Sequence, residues 1–330
     1  MNFQHVHVLT LNIKSRGTST STELKIKTFT YLRPGDTVDV IAPASYSELH
    51  KLQQGCQWLK SIGLIPRVPP GMVRPDAYFA APLQAQLEQI KDAVHSDSKA
   101  IWCLRGGYGS MRLIPELLKM KVPKNKKIFL GFSDITALHL FFTQAWNWPT
   151  IHGRNICQMS KELSRHPDRR LLKDILFGTV RSKLYSNLVP LNASAREVSR
   201  LTGKLTGGNL RILQSSVKTG WELRARNKIL FLEDVSERGY SVDRMLEQMI
   251  QARLIHKGLK AIVFGEFTEG LEIDGKDLTP LVLKRFAQQV EYPVLRGLPC
   301  GHGLRWNYPL PFNTQCELVT GPRGQLRCSF

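Results

Sequence analysis

The stretch "IFLGFSDITALHLFF" (Ile128–Phe142) contains the strand-to-helix turn that decides the fold. Residues 128–130 form an apolar run that is typical of a buried strand, and residues 135–142 have the apolar spacing of a helix. The turn between them reads GFSD and ends in Ser133 and Asp134. A strand that leads directly into a helix is the repeating unit of parallel α/β sheets. The stretch therefore predicts an α/β protein.

Ser133 has two interpretations, and both stay open on the local sequence. A serine before an apolar-periodic run is an ordinary helix N-cap, and Asp134 would then be favoured by the helix dipole. A Gly-x-Ser turn after a strand also resembles a nucleophile elbow, although Ile135 stands where the G-x-S-x-G pattern has its second glycine. The two roles are compatible, because a serine at the start of a helix lies near backbone amides that can stabilise an oxyanion.

Strand-like and helical segments alternate on both sides of this turn. Such alternation predicts a parallel sheet with helices on both faces. The strand-like segments are 37–42, 100–104, 228–235 and 261–267, and the helical segments are 47–62, 83–95, 111–120, 241–255 and 279–290.

The pattern divides the chain into four parts. Residues 1–31 are rich in Thr, Ser and Lys and are interpreted as an N-terminal extension. Residues 32–155 are predicted to form a first α/β domain. Residues 156–199 are charged and Ser-rich, which is typical of a connecting segment, and they contain one predicted helix at 167–177. Residues 200–330 are predicted to form a second α/β domain.

The composition is that of an ordinary globular protein, with 42% apolar and 22% charged residues. No apolar stretch approaches the ~20 residues of a membrane helix, and the N-terminus lacks the features of a secretory signal. These features predict a cytoplasmic protein that does not enter a membrane. The six cysteines are scattered without a CxxC pair, which is typical of neither a disulfide framework nor a zinc site.

The formal net charge of +19 favours anionic partners. However, the basic residues are spread along the chain, with only short clusters such as "KVPKNKK" (residues 121–127), and no RNP, KH or zinc-finger pattern accompanies them. An anionic small substrate or a generally basic surface is therefore preferred to a nucleic-acid partner.

Polar residues follow several predicted strands at their carboxyl ends, where open parallel sheets bind ligands. A serine nucleophile needs a base, and the base needs an orienting acid. His302, in the flexible sequence "CGHG", is the best base among the histidines, whereas His139 lies in an apolar helix and is predicted to be a packed core histidine. His152 is interpreted as a possible neighbour of the site.

Glu233 is the candidate acid, because it ends a strongly apolar strand. The alternative is a structural salt bridge with Arg244. The order Ser133, Glu233, His302 is the order of nucleophile, acid and base in α/β hydrolases.

The sequence "RGGYGS" (Arg105–Ser110) is a glycine-rich turn that matches neither a P-loop nor G-x-G-x-x-G, so no nucleotide cofactor is predicted. Glycine allows a backbone to approach a ligand closely. The amide of Gly106 or Gly107, together with that of Asp134, could therefore form an oxyanion hole.

Several stretches together resemble one family, the LD-carboxypeptidases, which are serine peptidases that include muramoyltetrapeptide carboxypeptidase and the microcin C immunity peptidase. The stretches are "RPGDTVDVIAPAS", "RGGYGS", "GFSDITAL", "TIHG", "LTGGNL", "LFLEDVSERGYSVDRML" and "LPCGHG", which occur in the family's order over residues 32–320. One departure is Arg154, where the family usually has a proline after "TIHG".

The resemblance implies an N-terminal Rossmann-like domain, a C-terminal mixed α/β domain of the swivelling type, a homodimer, and no metal or cofactor. It implies Ser133 as nucleophile and Glu233 and His302 as the rest of the triad. Arg105, Asn209 and Arg244 are then candidate substrate contacts, although surface or packing roles are equally compatible with them.

The resemblance also implies a substrate: murein tetrapeptide, cleaved between the L-centre of diaminopimelate and the terminal D-alanine during cell-wall recycling. A peptidyl-nucleotide antibiotic is the alternative substrate, and Trp146, Trp148 or Trp306 could then stack a base. A catalytically silent anion-binding protein is the alternative from another functional class.

Overall fold

The computed structural model describes residues 29–163, 165–255, 258–303 and 305–330. The predicted extension, residues 1–31, lies outside the described residues except for its last three. Of these, Tyr31 is anchored to the chain terminus, because its hydroxyl donates a hydrogen bond of 2.7 Å to the carbonyl of Phe330.

Strands and helices alternate through most of the chain. The strands are β1 (Thr37–Ile41), β2 (Ile65–Arg67), β3 (Ala100–Cys103), β4 (Ile128–Gly131), β5 (Thr150–His152), β6 (Ser182–Pro190), β7 (Arg200–Asn209), β8 (Lys228–Val235), β9 (Ala261–Thr268), β10 (Val294–Gly301), β11 (Leu310–Phe312), β12 (Gln315–Val319) and β13 (Gly324–Ser329). The helices are α1 (Leu49–Ser61), α2 (Leu83–His95), α3 (Ile114–Leu117), α4 (Thr136–Gln144), α5 (Pro167–Leu176), α6 (Ala193–Arg196), α7 (Leu210–Ser215), α8 (Gly239–Gln251) and α9 (Thr279–Gln288).

The first sheet has six strands in the order β11-β5-β4-β3-β1-β2. The pairings among β1 to β5 are parallel, and β11 is antiparallel to β5. Both β3 and β4 are buried along their whole length, which explains why their sequences are continuous apolar runs. The prediction of an α/β fold with a parallel sheet is confirmed.

The second sheet is a closed barrel of seven strands in the order β10-β6-β13-β12-β7-β8-β9. The strands from β7 to β10 pair in parallel, whereas β6, β12 and β13 pair antiparallel with their neighbours. One barrel strand, β6, comes from the segment that the sequence indicates as a connection. Conversely, β11 belongs to the C-terminal part of the chain but pairs with β5 at the edge of the first sheet.

Helix α4 joins the two sheets. Eight of its nine residues are buried, including the polar residues Thr136, His139 and Thr143, so α4 is enclosed by other elements. The hydroxyl oxygen of Thr136, its first residue, accepts a hydrogen bond of 3.0 Å from the backbone N–H of Asn209 at the end of β7. Gly208 has φ +135, and a Cβ there would collide with the Thr136 side chain, so only glycine permits this contact.

His139 on α4 is a packed core residue, as predicted. Its ring nitrogens lie 2.8 Å from the Thr150 hydroxyl and 2.8 Å from the Gly131 carbonyl. Because a carbonyl only accepts, Nε2 carries the proton and Nδ1 accepts from the hydroxyl. Burial lowers the pKa of His139 to about 4, so the ring is neutral near pH 7.

None of the described helices is both long enough and apolar enough to cross a membrane.

Candidate active site

The turn after β4 holds Ser133 in an unusual backbone conformation. Phe132 is extended, with φ −157, and Ser133 follows with φ 68, in the left-handed region that a residue with a side chain rarely adopts. Ser133 begins a short 3₁₀ turn that leads into α4, and no side-chain cap hydrogen bond is formed at the start of either. The helix-cap interpretation is therefore wrong, and the strained turn fits a nucleophile elbow.

Two buried side chains fix this turn. The Asp134 carboxylate accepts a hydrogen bond of 2.8 Å from the Ser110 backbone N–H. The backbone carbonyl of Asp134 accepts another, of 2.7 Å, from the Ser110 hydroxyl. On the other side, the Asn155 side-chain oxygen accepts from the N–H of Phe132 at 3.2 Å. Burial raises the pKa of Asp134, and the N–H of Ser110 partly offsets the effect. The turn is thus held by the segments that follow β3 and β5.

Gly106 lies directly against Ser133. A Cβ at this glycine would come within 2.8 Å of the Ser133 Cβ and 3.1 Å of its Oγ, so a larger residue would displace the hydroxyl. The backbone amides of Gly106, Gly107 and Asp134 donate no hydrogen bond to any described residue. Donors that are free and close to a serine hydroxyl are what an oxyanion hole requires.

Glu233 and His302 form a close pair at the carboxyl ends of β8 and β10. The Nδ1 atom of His302 lies 2.6 Å from Oε2 of Glu233, and the backbone N–H of His302 donates to the same oxygen at 3.1 Å. The Glu233 side chain is fully buried, whereas 16% of the His302 side chain is exposed. Gly301 permits the approach, because a Cβ there would lie 2.6 Å from Oε2 of Glu233.

The surroundings of His302 favour the protonated form of its ring. Burial alone would lower the pKa of His302, but the Glu233 carboxylate, through its charge and its hydrogen bond, outweighs burial, and Asp234 and Glu269 add to its effect. The pKa of His302 is therefore raised. Glu233 makes no ion pair with Arg244, which is exposed on α8 with its guanidinium 5.7 Å from the centre of the Tyr240 ring.

Phe132 brings the serine turn and the histidine together. Its ring centre lies 4.8 Å from that of His302, and Ser133 is the next residue in the chain. Within the part of the chain that the structure describes, no hydrogen bond joins Ser133 to His302. Such bonds are often long in unliganded sites and shorten when substrate binds.

His152 lies behind Phe132. Its side chain is fully buried, and neither ring nitrogen has a hydrogen-bond partner among the described residues. Burial lowers its pKa well below the usual value, and the nearby His139 and His302 lower it further. A neutral His152, 5.8 Å from the Phe132 ring centre, serves as packing for the residue beside Ser133.

Asp234 directly follows Glu233 and is one of the polar residues at the strand ends. Its carboxylate accepts from the Asn209 amide at 2.8 Å and from two backbone N–H groups, those of Arg211 and Val235, at 2.9 Å each. Burial, and then the charge of Glu233, raises the pKa of Asp234 to about 7. Asp234 therefore supports the strand end that carries the acid.

The three candidate substrate contacts lie in different surroundings. Arg105 is exposed beside Gly106 and donates a hydrogen bond of 2.8 Å to the carbonyl of Tyr46. Asn209 is buried, and besides binding Asp234 its side-chain oxygen accepts from the N–H of Ile212 and caps α7. Arg244 is exposed on α8.

The described residues include no group of three His, Cys, Asp or Glu side chains that could hold a metal ion. The six cysteines are free thiols.

Two regions of the chain match domains of one family. Residues 38–153 match the LD-carboxypeptidase N-terminal domain, and residues 202–318 match the LD-carboxypeptidase C-terminal domain. The chain belongs to the LD-carboxypeptidase family. The resemblance seen in the sequence is confirmed, and the family makes the chain a serine-type carboxypeptidase, which is a hydrolase.

Individual relatives agree with this assignment. A putative carboxypeptidase of Rickettsia conorii is 42% identical over 243 residues, which are 73% of this chain and 75% of that protein. The structure of muramoyltetrapeptide carboxypeptidase from Oxalobacter formigenes superposes with a TM-score of 0.76 at 27% identity and covers 89% of this chain and 99% of that chain.

The chain is also similar to MccF, the microcin C7 self-immunity protein of Escherichia coli. A structure of MccF in complex with glutamyl sulfamoyl guanosine has a TM-score of 0.77 at 18% identity, over 92% of this chain and 98% of that chain. At this identity the likeness concerns the fold alone.

Proposed function

We propose that this LD-carboxypeptidase removes the terminal D-alanine from murein tetrapeptide, in the cytoplasm, during cell-wall recycling. The observation that carries the proposal is the buried Glu233–His302 pair, at 2.6 Å, packed against the residue that precedes Ser133. The relative from Oxalobacter formigenes is named for the same class of substrate. The bond cleaved would join the L-centre of diaminopimelate to D-alanine.

In the proposed reaction, Ser133 Oγ attacks the carbonyl carbon of the scissile bond while His302 Nε2 takes the hydroxyl proton. Glu233 accepts from Nδ1, which fixes the tautomer and stabilises the imidazolium that forms. The amides of Asp134 and of Gly106 or Gly107 stabilise the oxyanion. The C–N bond then breaks, the amine of D-alanine receives the proton from His302, and a water molecule hydrolyses the acyl-enzyme with His302 as base.

The charge of the protein suits this substrate. A murein tetrapeptide carries several carboxylates, and a field of +19 raises the local concentration of an anion near the protein. Because a protein of this charge can also attract nucleic acid, binding to DNA and RNA should be measured at several salt concentrations.

The direct test is Ser133→Ala with release of D-alanine as the readout. Loss of the nucleophile should lower turnover by about 10⁶-fold, because the members of a triad act as a unit. The thermal unfolding temperature should stay at or above that of the wild type, since alanine and serine share the same strain at φ 68. Full turnover by the variant would disprove the mechanism. Failure of a phosphonylating probe to label Ser133 in the wild type would instead favour the catalytically silent alternative.

A second substrate class, an aminoacyl or peptidyl nucleotide, is favoured by one observation. Trp146 and Trp148 are buried in the core, whereas Trp306 is partly exposed in the segment between His302 and β11. An aromatic side chain four residues after the proposed base in the sequence could stack a nucleobase. Comparing hydrolysis of the tetrapeptide with that of an aminoacyl-nucleotide analogue, in the wild type and in Trp306→Ala, would decide between the two substrates.

A further inference from the structure

A buried cluster of two arginines and one aspartate lies beside the proposed catalytic residues. Asp168, whose side chain is fully buried, accepts from Arg154 Nε at 2.5 Å and from Arg169 Nη1 at 3.3 Å. The cluster therefore contains one more positive than negative side chain. A surplus charge inside a protein is costly unless a counter-charge reaches it.

Arg154 occupies a position equivalent to that of Ser133 at the same edge of the sheet. Gly131, which ends β4, pairs in register with His152, which ends β5. Ser133 and Arg154 each follow two residues later, and neighbouring strands lie only about 4.8 Å apart. The next residue, Asn155, holds the N–H of Phe132, so the Arg154 backbone is tied to the serine turn.

The cluster also contacts the segment that follows His302, through Asn307. The backbone N–H of Asn307 donates to Oδ2 of Asp168 at 3.2 Å, which is the oxygen that Arg154 contacts. The side-chain oxygen of Asn307 accepts from the N–H of Gly301 at 3.0 Å, and Gly301 precedes His302. Arg154 thus lies between the segment that carries the proposed nucleophile and the segment that carries the proposed base.

Two sets of donors in this cluster have no acceptor among the described residues. Arg154 uses only Nε, and its terminal nitrogens make no hydrogen bond, although 12% of its side chain is exposed. The Nδ2 atom of Asn307 is completely buried and unpaired. Buried donors in native proteins usually have a partner, so available donors beside a surplus positive charge suit an anionic ligand.

We infer that Arg154 and the side-chain amide of Asn307 bind the terminal carboxylate of the peptide substrate. The inference rests on the proposed carboxypeptidase function and adds the group that recognises the free chain end. A guanidinium offers a fork of N–H donors that matches the two oxygens of a carboxylate, which a neutral terminal amide cannot replace. The carboxylate would supply the negative charge that the Arg154–Asp168–Arg169 cluster lacks.

The test compares two peptides that differ only in this group: murein tetrapeptide with its free terminal carboxylate, and the same peptide ending in D-alaninamide. Formation of the tripeptide is measured for both. The wild type should prefer the acid by about 10- to 100-fold in kcat/KM, the range expected for charge-assisted hydrogen bonds. Arg154→Gln should lose about that factor on the acid while its activity on the amide changes less than about threefold.

Two further variants separate recognition from folding. Asn307→Asp keeps the oxygen that accepts from Gly301 but replaces the free donor with a negative oxygen, so it should weaken hydrolysis of the acid and spare the amide. Arg170→Gln removes an exposed arginine from the same helix as Asp168 and should leave both activities unchanged.

The outcomes are distinct. Equal losses on both peptides in Arg154→Gln would mean that Arg154 only supports the fold, and the inference would be overturned. A wild-type enzyme that cleaves both peptides equally well would also overturn it, while leaving the proposed function intact. A wild-type enzyme that forms no tripeptide from either peptide would refute the proposed function and the inference with it.

Discussion

Glu233 and His302 are 69 residues apart in the sequence, yet two hydrogen bonds join them through a single carboxylate oxygen, Oε2 of Glu233. Oε2 receives both the ring Nδ1–H and the backbone N–H of His302. The other oxygen, Oε1, is buried and has no partner within the described residues. The carboxylate therefore fixes the histidine backbone and the tautomer of its ring together, and it leaves Nε2 available to a nucleophile.

Glu233→Gln should lower kcat for D-alanine release by about 10³- to 10⁴-fold, because a neutral amide neither fixes the tautomer nor stabilises the imidazolium. The measurement is steady-state kinetics with a check of thermal unfolding. Glu317→Gln is the matched control, since Glu317 forms only a surface ion pair with Arg200. A Glu233→Gln enzyme that retains a tenth or more of the wild-type kcat would show that Glu233 is not the orienting acid.

The acid limb of the pH profile should lie above pH 6.5, the ordinary pKa of histidine, because the pKa of His302 is raised. His302 must be neutral to accept the serine proton, so kcat/KM should increase as the pH rises through its pKa. Glu233→Gln removes the main cause of the upward shift and should move the inflection to lower pH. An inflection that is unchanged in the variant would assign the titration to another group.

The same shift has a consequence for stability. A pKa that is higher in the folded than in the unfolded state means that His302 contributes stability that is fully present below its unfolded pKa. This contribution is lost as the pH rises through the folded-state pKa.

Gly301→Ala should damage the site far more than Gly297→Ala, although both glycines lie on β10 with positive φ. A methyl group at Gly301 would meet Glu233 atoms at 2.6 to 2.8 Å, whereas nothing lies within 4 Å of the position at Gly297. Both substitutions should cost about 1–2 kcal/mol from backbone strain.

Only Gly301→Ala should displace Glu233, and we expect it to lower kcat by about 100-fold, the scale expected for a shift of about 1 Å in a catalytic group. Denaturant unfolding and kinetics on both variants test this difference. Equal kinetic losses in the two variants would rule out the close approach as the cause.

The centre of the first sheet was predictable because β1, β3 and β4 have strand-like sequences, whereas β2 and β5 have only three residues each and were not predicted. β3 and β4 are short apolar runs, each followed by polar residues and a helix. Polar residues after strand-like runs also pointed to Ser133, Glu233 and His302. His139 was predictable as a core residue because it lies in a largely apolar helical run, directly between Leu138 and Leu140.

Other features could not be read from local patterns. The barrel depends on β6, whose nine residues include only two that are fully buried, so its alternation is weak. β11 has three residues, and its place in the first sheet is a long-range pairing with β5. The left-handed conformation of Ser133 and the Arg154–Asp168–Asn307 contacts likewise depend on tertiary packing, and the only sequence signal for the latter is the arginine in place of the usual proline.

The contact between α4 and the end of β7 should affect both stability and activity. In this contact the Thr136 hydroxyl accepts a hydrogen bond of 3.0 Å from the buried N–H of Asn209. Thr136→Val keeps the shape of the side chain but leaves that N–H unpaired, which should cost about 1–3 kcal/mol in the free energy of unfolding. Thr136→Ser keeps the hydroxyl and is the matched control.

Activity should change as well, because Asn209 pairs in register with Glu233 on β8 and its amide holds Asp234. A shift of Asn209 therefore moves the strand end that carries the acid, while Thr136 itself lies three residues after Ser133. We expect Thr136→Val to lower kcat and Thr136→Ser to retain it, as measured by D-alanine release at a temperature where both variants are folded. If Thr136→Val loses stability but keeps the wild-type kcat, the Thr136–Asn209 contact supports the fold without determining the position of Ser133 relative to Glu233 and His302.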